Sequence, residues 1–436
     1  MLNRKWLMCI MLFLVVLVFG ILAPELKDRD YTHIDREETT EYKVEQTSEN
    51  TFEPGTQVTE IVDIEPTEEV EVLTTEAVME VPVNTNPYIL SDQEELMVYR
   101  LVEGMTIEEK VGQLFFIKDD GRFDYNILQD YPVGGIIMFK GDFVGKSKDE
   151  LKKYISDFQE NSDIPLLIGI DEEGGTVVRL SCYSELADYQ FQSPRALYYS
   201  HHTTYDGIHT CLKEDAEAKS ELLKSYGINV NFAPVCDVAT DPNDFMYKRA
   251  FGDDVDETCE YVEQMVSTMN DCDMGSVLKH FPGYGNNGDT HRAVVRDTRD
   301  YQEFVKVDFK PFEAGIESGA WCILVNHIIV EAFDKDMPAS LSEEVHNILR
   351  ERFEFGGVII TDDLMMGGVA DMKDKGEAAV CAIKAGNDMI LSTDYDVQYN
   401  AVLEAVQSGE IAEGRLDQSV RRVLRWKIFL GIIEVE

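Results

Sequence analysis

The chain has little basic charge: 39 Lys and Arg stand against 83 Asp and Glu, a formal net charge of −44 over 436 residues. Clustered cations displace counterions from phosphates, so this deficit argues against nucleic acid as a partner. Cysteine is sparse and lacks paired short spacing. Cys9 lies in an apolar run, and the other seven are scattered from Cys182 to Cys381 without a C-x-x-C. That pattern argues against a structural metal and against a dense disulfide framework. No G-x-G-x-x-G follows the first strand-like run either, so the dinucleotide fingerprint is missing. No metal or cofactor is expected.

One long apolar run is present. Arg4 and Lys5 precede eighteen apolar residues from Trp6 to Ala23, just enough to cross the ~30 Å hydrocarbon core of a bilayer. No A-x-A-like cleavage site follows, and Pro24 directly after Ala23 hinders cleavage there. Residues 1–24 therefore read as a cytoplasmic stub and uncleaved transmembrane anchor, with the basic flank inside and the remainder outside the cell. A cleaved signal peptide is the competing reading and would make the protein secreted rather than single-pass. No cysteine follows the run closely enough for lipid attachment. Residues 25–87 are rich in Glu and Thr without a sustained apolar period, as in "TTEYKVEQTSEN" and "IEPTEEVEVLTTEAVMEVPVN". Such a segment buries too little surface to offset its ordering entropy, and it reads as a disordered, self-repelling tether.

Order is expected over residues 88–436. Ser91 and Thr106, each followed by acidic residues, look like helix N-caps. Eight short apolar runs then recur with helical stretches between them: "VGQLFFI", "VGGIIMF", "PLLIGID", "INVNFAPV", "GSVLKHF", "CILVNHI", "GGVIITD" and "GNDMILS". They are rich in Val, Ile and Gly and apolar on both faces, which a closed parallel barrel demands. The fold expected is α/β, a (β/α)8 barrel of the TIM type, with a doubly wound open sheet as the alternative. The last stretch reads as a helix, a Gly-containing turn and an amphipathic helix closing the outer ring.

Barrels of this kind place reacting groups where strands end. Those ends hold Asp171, Asp237, Lys279 with His280, His327 and Asp362. A charged residue at one strand end is often only a loop cap; a set converging on one mouth is harder to dismiss. Carboxylates, an ammonium and imidazoles without a metal suit glycoside cleavage, in which one group protonates the leaving oxygen while a carboxylate faces or attacks the anomeric carbon. A neutral polar substrate also fits an acidic protein.

The segments "IDEEGGTVVRL", "NFAPVCDV", "RAFG", "KHFPGYG", "DTH", "PFEAGIESGA", "MPASLS", "ITDDLMM" and "AGNDMIL" follow one another in this order. In that order the chain resembles glycoside hydrolase family 3, specifically its single-barrel β-N-acetylhexosaminidase branch, from about Met105 to Gly431. The resemblance implies a retaining, two-step mechanism with Asp362 as nucleophile. Asp362 also follows the apolar run "GGVIIT" directly, so it should project into the barrel mouth, whereas its neighbour Asp363 should point elsewhere. The resemblance further implies that His291 is the acid/base on a mobile loop, oriented by Asp289. This is physically sensible, because an imidazole titrates near neutrality and a carboxylate beside it sets its tautomer. Gly283, Gly285 and Gly288 would let that loop close over substrate. Sugar contacts are implied for Asp171, Arg179, Arg249, Lys279, His280 and His327.

Three departures from the family pattern stand out. Tyr284 occupies the place of a second histidine, only Asn286, Asn287 and Gly288 separate Gly285 from Asp289, and Glu172 stands where Gln is frequent.

The activity expected is that of an exported, membrane-tethered exo-β-N-acetylhexosaminidase, a β-N-acetylglucosaminidase that hydrolyses terminal N-acetylglucosamine from cell-wall fragments or related glycans. The protein should act as a monomer, with the glycan and the membrane as its partners. Alternatives are a β-glucosidase or phosphorylase of the same family, and a catalytically silent carbohydrate-binding surface protein.

Overall fold

A computed structural model describes residues 88–118, 125–201 and 204–435. The expected anchor (residues 1–24) and tether (25–87) lie outside the described residues. Among the described residues no helix is long and apolar enough to cross a membrane.

The eight apolar runs each contribute one strand to a single parallel sheet. These are β1 (Phe115–Lys118), β2 (Gly135–Met138), β3 (Leu167–Ile170), β4 (Val230–Asn231), β5 (Gly275–Phe281), β7 (Cys322–Val325), β9 (Val358–Thr361) and β10 (Ile390–Ser392). Their spatial order is β10-β1-β2-β3-β4-β5-β7-β9. A parallel bridge between Ile360 and Met389 brings the two ends together, so the sheet is a near-closed barrel. Two further strands, β6 (Val295–Asp297) and β8 (Ile328–Val330), pair in parallel outside it. This small sheet was not anticipated from the sequence; β6 is three residues long and only its last is buried.

Both faces of the barrel strands are apolar because both are covered. Phe116, Ile137, Leu167 and Phe232 belong to one buried cluster, while Phe115, Ile117, Ile136, Ile168 and Ile170 belong to another that includes helix residues such as Leu151, Ile155, Val420 and Leu424. Inside the barrel the Phe116 and Phe232 rings meet edge to face, with centroids 5.3 Å apart. They leave no space for a side chain on β3: a Cβ at Gly169 would lie 2.7 Å from atoms of both rings. Burying each ring stabilises the fold by about 2 kcal/mol, so a glycine that admits two of them offsets its own weak strand preference.

The outer helices begin as their sequences suggest. Ser91 with Glu94, Thr106 with Glu109 and Ser147 with Glu150 each form a capping box, worth about 1 kcal/mol apiece. At the C-terminal end, helix Tyr395–Gln407 turns through Gly409, at φ +80°, into helix Glu413–Phe429. The latter carries Arg425, which grips Glu95 of the first described helix through both carboxylate oxygens.

Candidate active site

The C-terminal ends of the strands open into a cavity of about 730 Å³. Ile137, Phe232, Leu324 and Leu391 of the barrel interior line it, with Phe139 and Phe245 beside them. Above this apolar floor the strand ends bring together Asp171, Arg179, Arg249, Lys279, His280, Asp289, His291 and Asp362, all of which line the same cavity.

Most of these side chains form one continuous chain of ion pairs. Arg179 Nη2 donates to Asp171 Oδ2 at 3.1 Å, and Lys279 Nζ bridges Asp171 Oδ1 at 2.7 Å and Glu173 Oε1 at 2.6 Å. Arg249 holds Glu173 with two nitrogens, at 2.6 and 3.0 Å, and its Nη2 lies 3.1 Å from His280 Nε2. His280 Nδ1 in turn lies 2.7 Å from Asp237 Oδ2. The guanidinium can only donate and the carboxylate accepts, so His280 carries its proton on Nδ1 and accepts at Nε2. Burial alone would push the Glu173 carboxyl up, but the Arg249 guanidinium and the Lys279 ammonium outweigh it and hold that group well below the usual carboxylate range. Asp171 follows the same balance: burial raises it, and Lys279 and Arg179 bring it net downward. Both carboxylates are fixed negative charges pinned on either side of Lys279.

The Asp289–His291 pair stands apart from this chain. Asp289 Oδ1 accepts from both the backbone N–H of His291, at 3.0 Å, and its Nδ1, at 2.7 Å. The imidazole is thereby oriented by its own loop, and Nε2 has no partner among the described residues. Across the site, Asp362 follows β9. Its Oδ1 accepts the Asp363 backbone N–H at 2.9 Å, and its Oδ2 takes no hydrogen bond from the described residues.

Asp363 also reaches the cavity, but its oxygens are occupied: Oδ2 accepts from the Thr393 hydroxyl and Oδ1 from the Met365 N–H. Burial raises its pKa above the ordinary value. Of the two neighbouring aspartates, Asp362 has the free oxygen.

Two residues singled out in the sequence lie away from the cavity wall. His327 does not line the cavity. It has no exposure, its Nδ1 lies 2.7 Å from the Ser340 hydroxyl, and its Nε2 lies 3.0 Å from the Asp363 carbonyl. The carbonyl can only accept, so Nε2 is protonated and Nδ1 accepts from Ser340. Burial also lowers its pKa. It supports the turn after β9, and both of its ring nitrogens are already engaged within the protein, contrary to the expected sugar contact. Glu172, the residue in place of a frequent Gln, is also fully buried. Its carboxylate accepts from the backbone N–H groups of Arg179 and Leu180, both at 2.9 Å, and from the Ser181 hydroxyl. The departure at Glu172 thus fastens the loop that presents Arg179 and leaves the cavity wall unaltered.

Arg179 is more than a structural ion pair. It lines the cavity, and its Nε is a buried donor without a partner. Sequence reasoning did not assign Glu173 or weigh Phe139 and Phe245. Glu173 carried a signal, since it lies two residues after Asp171 in "DEEGG"; the aromatics carried none, because only the folded barrel brings them to one wall.

Comparison with known proteins points to one family. The model of the glycosyl hydrolase family 3 N terminal domain matches residues 106–426. A beta-hexosaminidase of Hydrogenovibrio crunogenus is 30% identical over 293 residues, covering 66% of this chain and 80% of that protein. The solved structure of a family 3 beta-N-acetylglucosaminidase from a Paenibacillus species is similar with a TM-score of 0.70 and 29% identity, over 76% of this chain and 63% of that one. This chain thus spans less than two thirds of that structure's length. A beta-glucoside phosphorylase matches in fold, at a TM-score of 0.70 and 24% identity, over 80% of this chain and 63% of that one.

Proposed function

The chain belongs to glycosyl hydrolase family 3, and we propose that it is a retaining exo-β-N-acetylhexosaminidase whose nucleophile is Asp362 and whose acid/base is His291. The observation that carries this reading is the pairing, in one cavity, of a carboxylate with a free oxygen and an imidazole with a free nitrogen. In the first step Asp362 Oδ2 attacks the anomeric carbon as the glycosidic C–O bond breaks. The proton on His291 Nε2 goes to the departing oxygen, while Asp289 keeps the Nδ1 proton in place. In the second step the same nitrogen, now bare, takes a proton from water as the water oxygen attacks the anomeric carbon and Asp362 leaves.

The ion-pair chain supports the same reading by its rigidity. Asp171 and Lys279 are fixed by their partners before substrate arrives, so hydroxyl groups of the non-reducing sugar meet donors and acceptors that need no reordering. Arg179 Nε supplies a further donor. A histidine acid/base held on the loop after β5 is supplied within this one barrel, consistent with the beta-hexosaminidase names of its relatives.

We extend the proposal to place: residues 1–24 hold the protein in the cell membrane, and residues 25–87 give the barrel reach to glycan fragments outside. Retention of the full-length protein in alkali-washed membranes checks this; release into the wash contradicts it.

The activity is tested by assaying 4-nitrophenyl β-N-acetylglucosaminide beside the β-glucoside, with Asp362→Asn as control. Preference for the N-acetyl sugar, lost in the variant, is expected. Preference for glucose assigns another exo-glycosidase activity, sugar 1-phosphate formed on adding inorganic phosphate assigns phosphorolysis, and binding of sugar without turnover assigns a lectin-like role.

A further inference from the structure

Thr290 lies between Asp289 and His291, yet it differs from everything around it. From Gly285 to Arg296 it is the one buried residue. Its hydroxyl is 2.6 Å from the Tyr284 hydroxyl, and its carbonyl accepts from the Gly368 N–H at 3.0 Å. Gly368 belongs to the short helix Gly367–Ala370 that follows the turn after Asp362, and it packs so closely on His327 that a Cβ there would lie 2.8 Å from the His327 Cβ. The tip of the acid/base loop is therefore docked, through the residue next to the acid, on the short helix that follows the nucleophile in the chain.

Tyr284 is equally fixed. Its backbone N–H donates to Asp237 Oδ1 at 2.8 Å, and its ring lies edge-on to His280 with centroids 5.3 Å apart. Its ring also meets Phe245, with centroids 5.5 Å apart, and Phe245 lies 6.3 Å from the His291 ring. Just before it, Gly283 adopts φ +117°, and a Cβ there would lie 2.2 Å from Asp308 Oδ1, so the chain turns tightly into the buried tyrosine. The links run without a break from Asp237, which also holds His280, through Tyr284 and Thr290 to the short helix Gly367–Ala370.

We propose that Tyr284 and Thr290 form a hydroxyl latch that positions the His291 imidazole over the leaving group, with neither residue contacting substrate as an acid or nucleophile. The proposal rests on the roles assigned above to Asp362 and His291. The latch substitutes a fixed loop tip for the freely swinging loop that its glycines suggest. It acts on proton delivery because a small displacement of a general acid costs rate only where a proton must be delivered.

The test compares kcat/KM for two substrates in the full-length protein and its variants. N,N′-diacetylchitobiose has a poor leaving group that needs the proton; 4-nitrophenyl β-N-acetylglucosaminide has an activated one that does not. Thr290→Val and Tyr284→Phe, which remove one hydroxyl each, should lower the chitobiose value about 10-fold or more and the nitrophenyl value no more than about 3-fold, with KM little changed. Thr290→Ser keeps the hydroxyl and should restore the chitobiose rate. His291→Ala sets the full size of the leaving-group effect, and thermal melts of every variant separate lost rate from lost fold. Equal losses on both substrates, no loss on either, or failure of Thr290→Ser to rescue a folded protein would overturn the latch while leaving His291 as the acid. If His291→Ala itself shows no dependence on leaving group, the catalytic reading fails and the latch falls with it.

Discussion

The barrel carries a buried charge network at each end, and the two differ in how far their hydrogen-bonding capacity is used. At the end where the strands begin, Asp388 precedes β10 and has no exposure. Its Oδ1 accepts from Ser419 at 2.7 Å and Arg422 at 2.9 Å, and its Oδ2 from the Ile359 N–H at 3.0 Å and from Arg350. Arg415 lies 3.6 Å away. Burial would raise this carboxyl, but three guanidinium groups bring it down to about 2. Every oxygen is taken, and the group ties the helix Glu413–Phe429 to the barrel. At the mouth, Asp362 Oδ2, His291 Nε2 and Arg179 Nε are without partners among the described residues. Saturated charges hold elements together, whereas unsaturated ones in a cavity are available to a ligand.

The sharpest break of that comparison is a pair of matched substitutions. Asp362→Asn keeps the bond from the Asp363 N–H and should leave the melting temperature unchanged while lowering kcat by roughly 10⁴-fold or more. Asp388→Asn should do the reverse. Three arginines would face an uncharged amide, costing about 3–5 kcal/mol in urea unfolding, with kcat of the folded fraction preserved. Loss of activity without loss of stability at Asp388 would erase the distinction.

Lys427 sharpens the comparison because it is buried at the closed end and yet poorly partnered. Its Nζ donates to Gln113 Oε1 at 2.7 Å, and burial depresses its pKa to about 7 from an ordinary 10.5. Between those values the unfolded chain binds the proton and the folded protein does not, so this group makes stability fall as pH drops from 10.5 to 7, with no further loss below. Lys427→Met should therefore be more stable than the parent at pH 7 by roughly 1–3 kcal/mol, and the gain should shrink by pH 10. Chemical denaturation at the two pH values checks this; an equal difference at both would contradict it.

The smallest effect is expected at Glu172→Gln. The amide can accept at one oxygen only, so one of the three donors from Arg179, Leu180 and Ser181 is left short. The Arg179 loop should loosen and KM should rise about 2–5-fold with kcat nearly unchanged, since only a binding group is misplaced. Initial-rate measurements would show it.

The barrel was legible in sequence because a strand buried on both faces leaves a continuous apolar run, and all eight runs became strands. β6 left no such trace, being three residues with Arg296 at its centre, and β8, though apolar, is three residues that begin at the end of the run that became β7. At the site, Asp362 was legible as a carboxylate directly after an apolar strand, while Asp289 and His291 were reached through the resemblance carried by "GDTH". Partnerships across the barrel were not legible. Glu173 meets Lys279 and Arg249 only after the strands assemble. His327 shows the converse: a histidine at a strand end is a reasonable ligand until its two nitrogens are found occupied by Ser340 and the Asp363 carbonyl. Tyr284 looked like a lost histidine, and its place beneath Thr290 appears only in three dimensions.

The measurement that bears most directly on the account is the anomer released first, followed by proton NMR during rapid turnover of a β-N-acetylglucosaminide. Attack by Asp362 followed by attack of water inverts the centre twice, so the β anomer should appear first and the α anomer only as the product mutarotates. The α anomer appearing first would mean that water attacks directly, and Asp362 would not be the nucleophile.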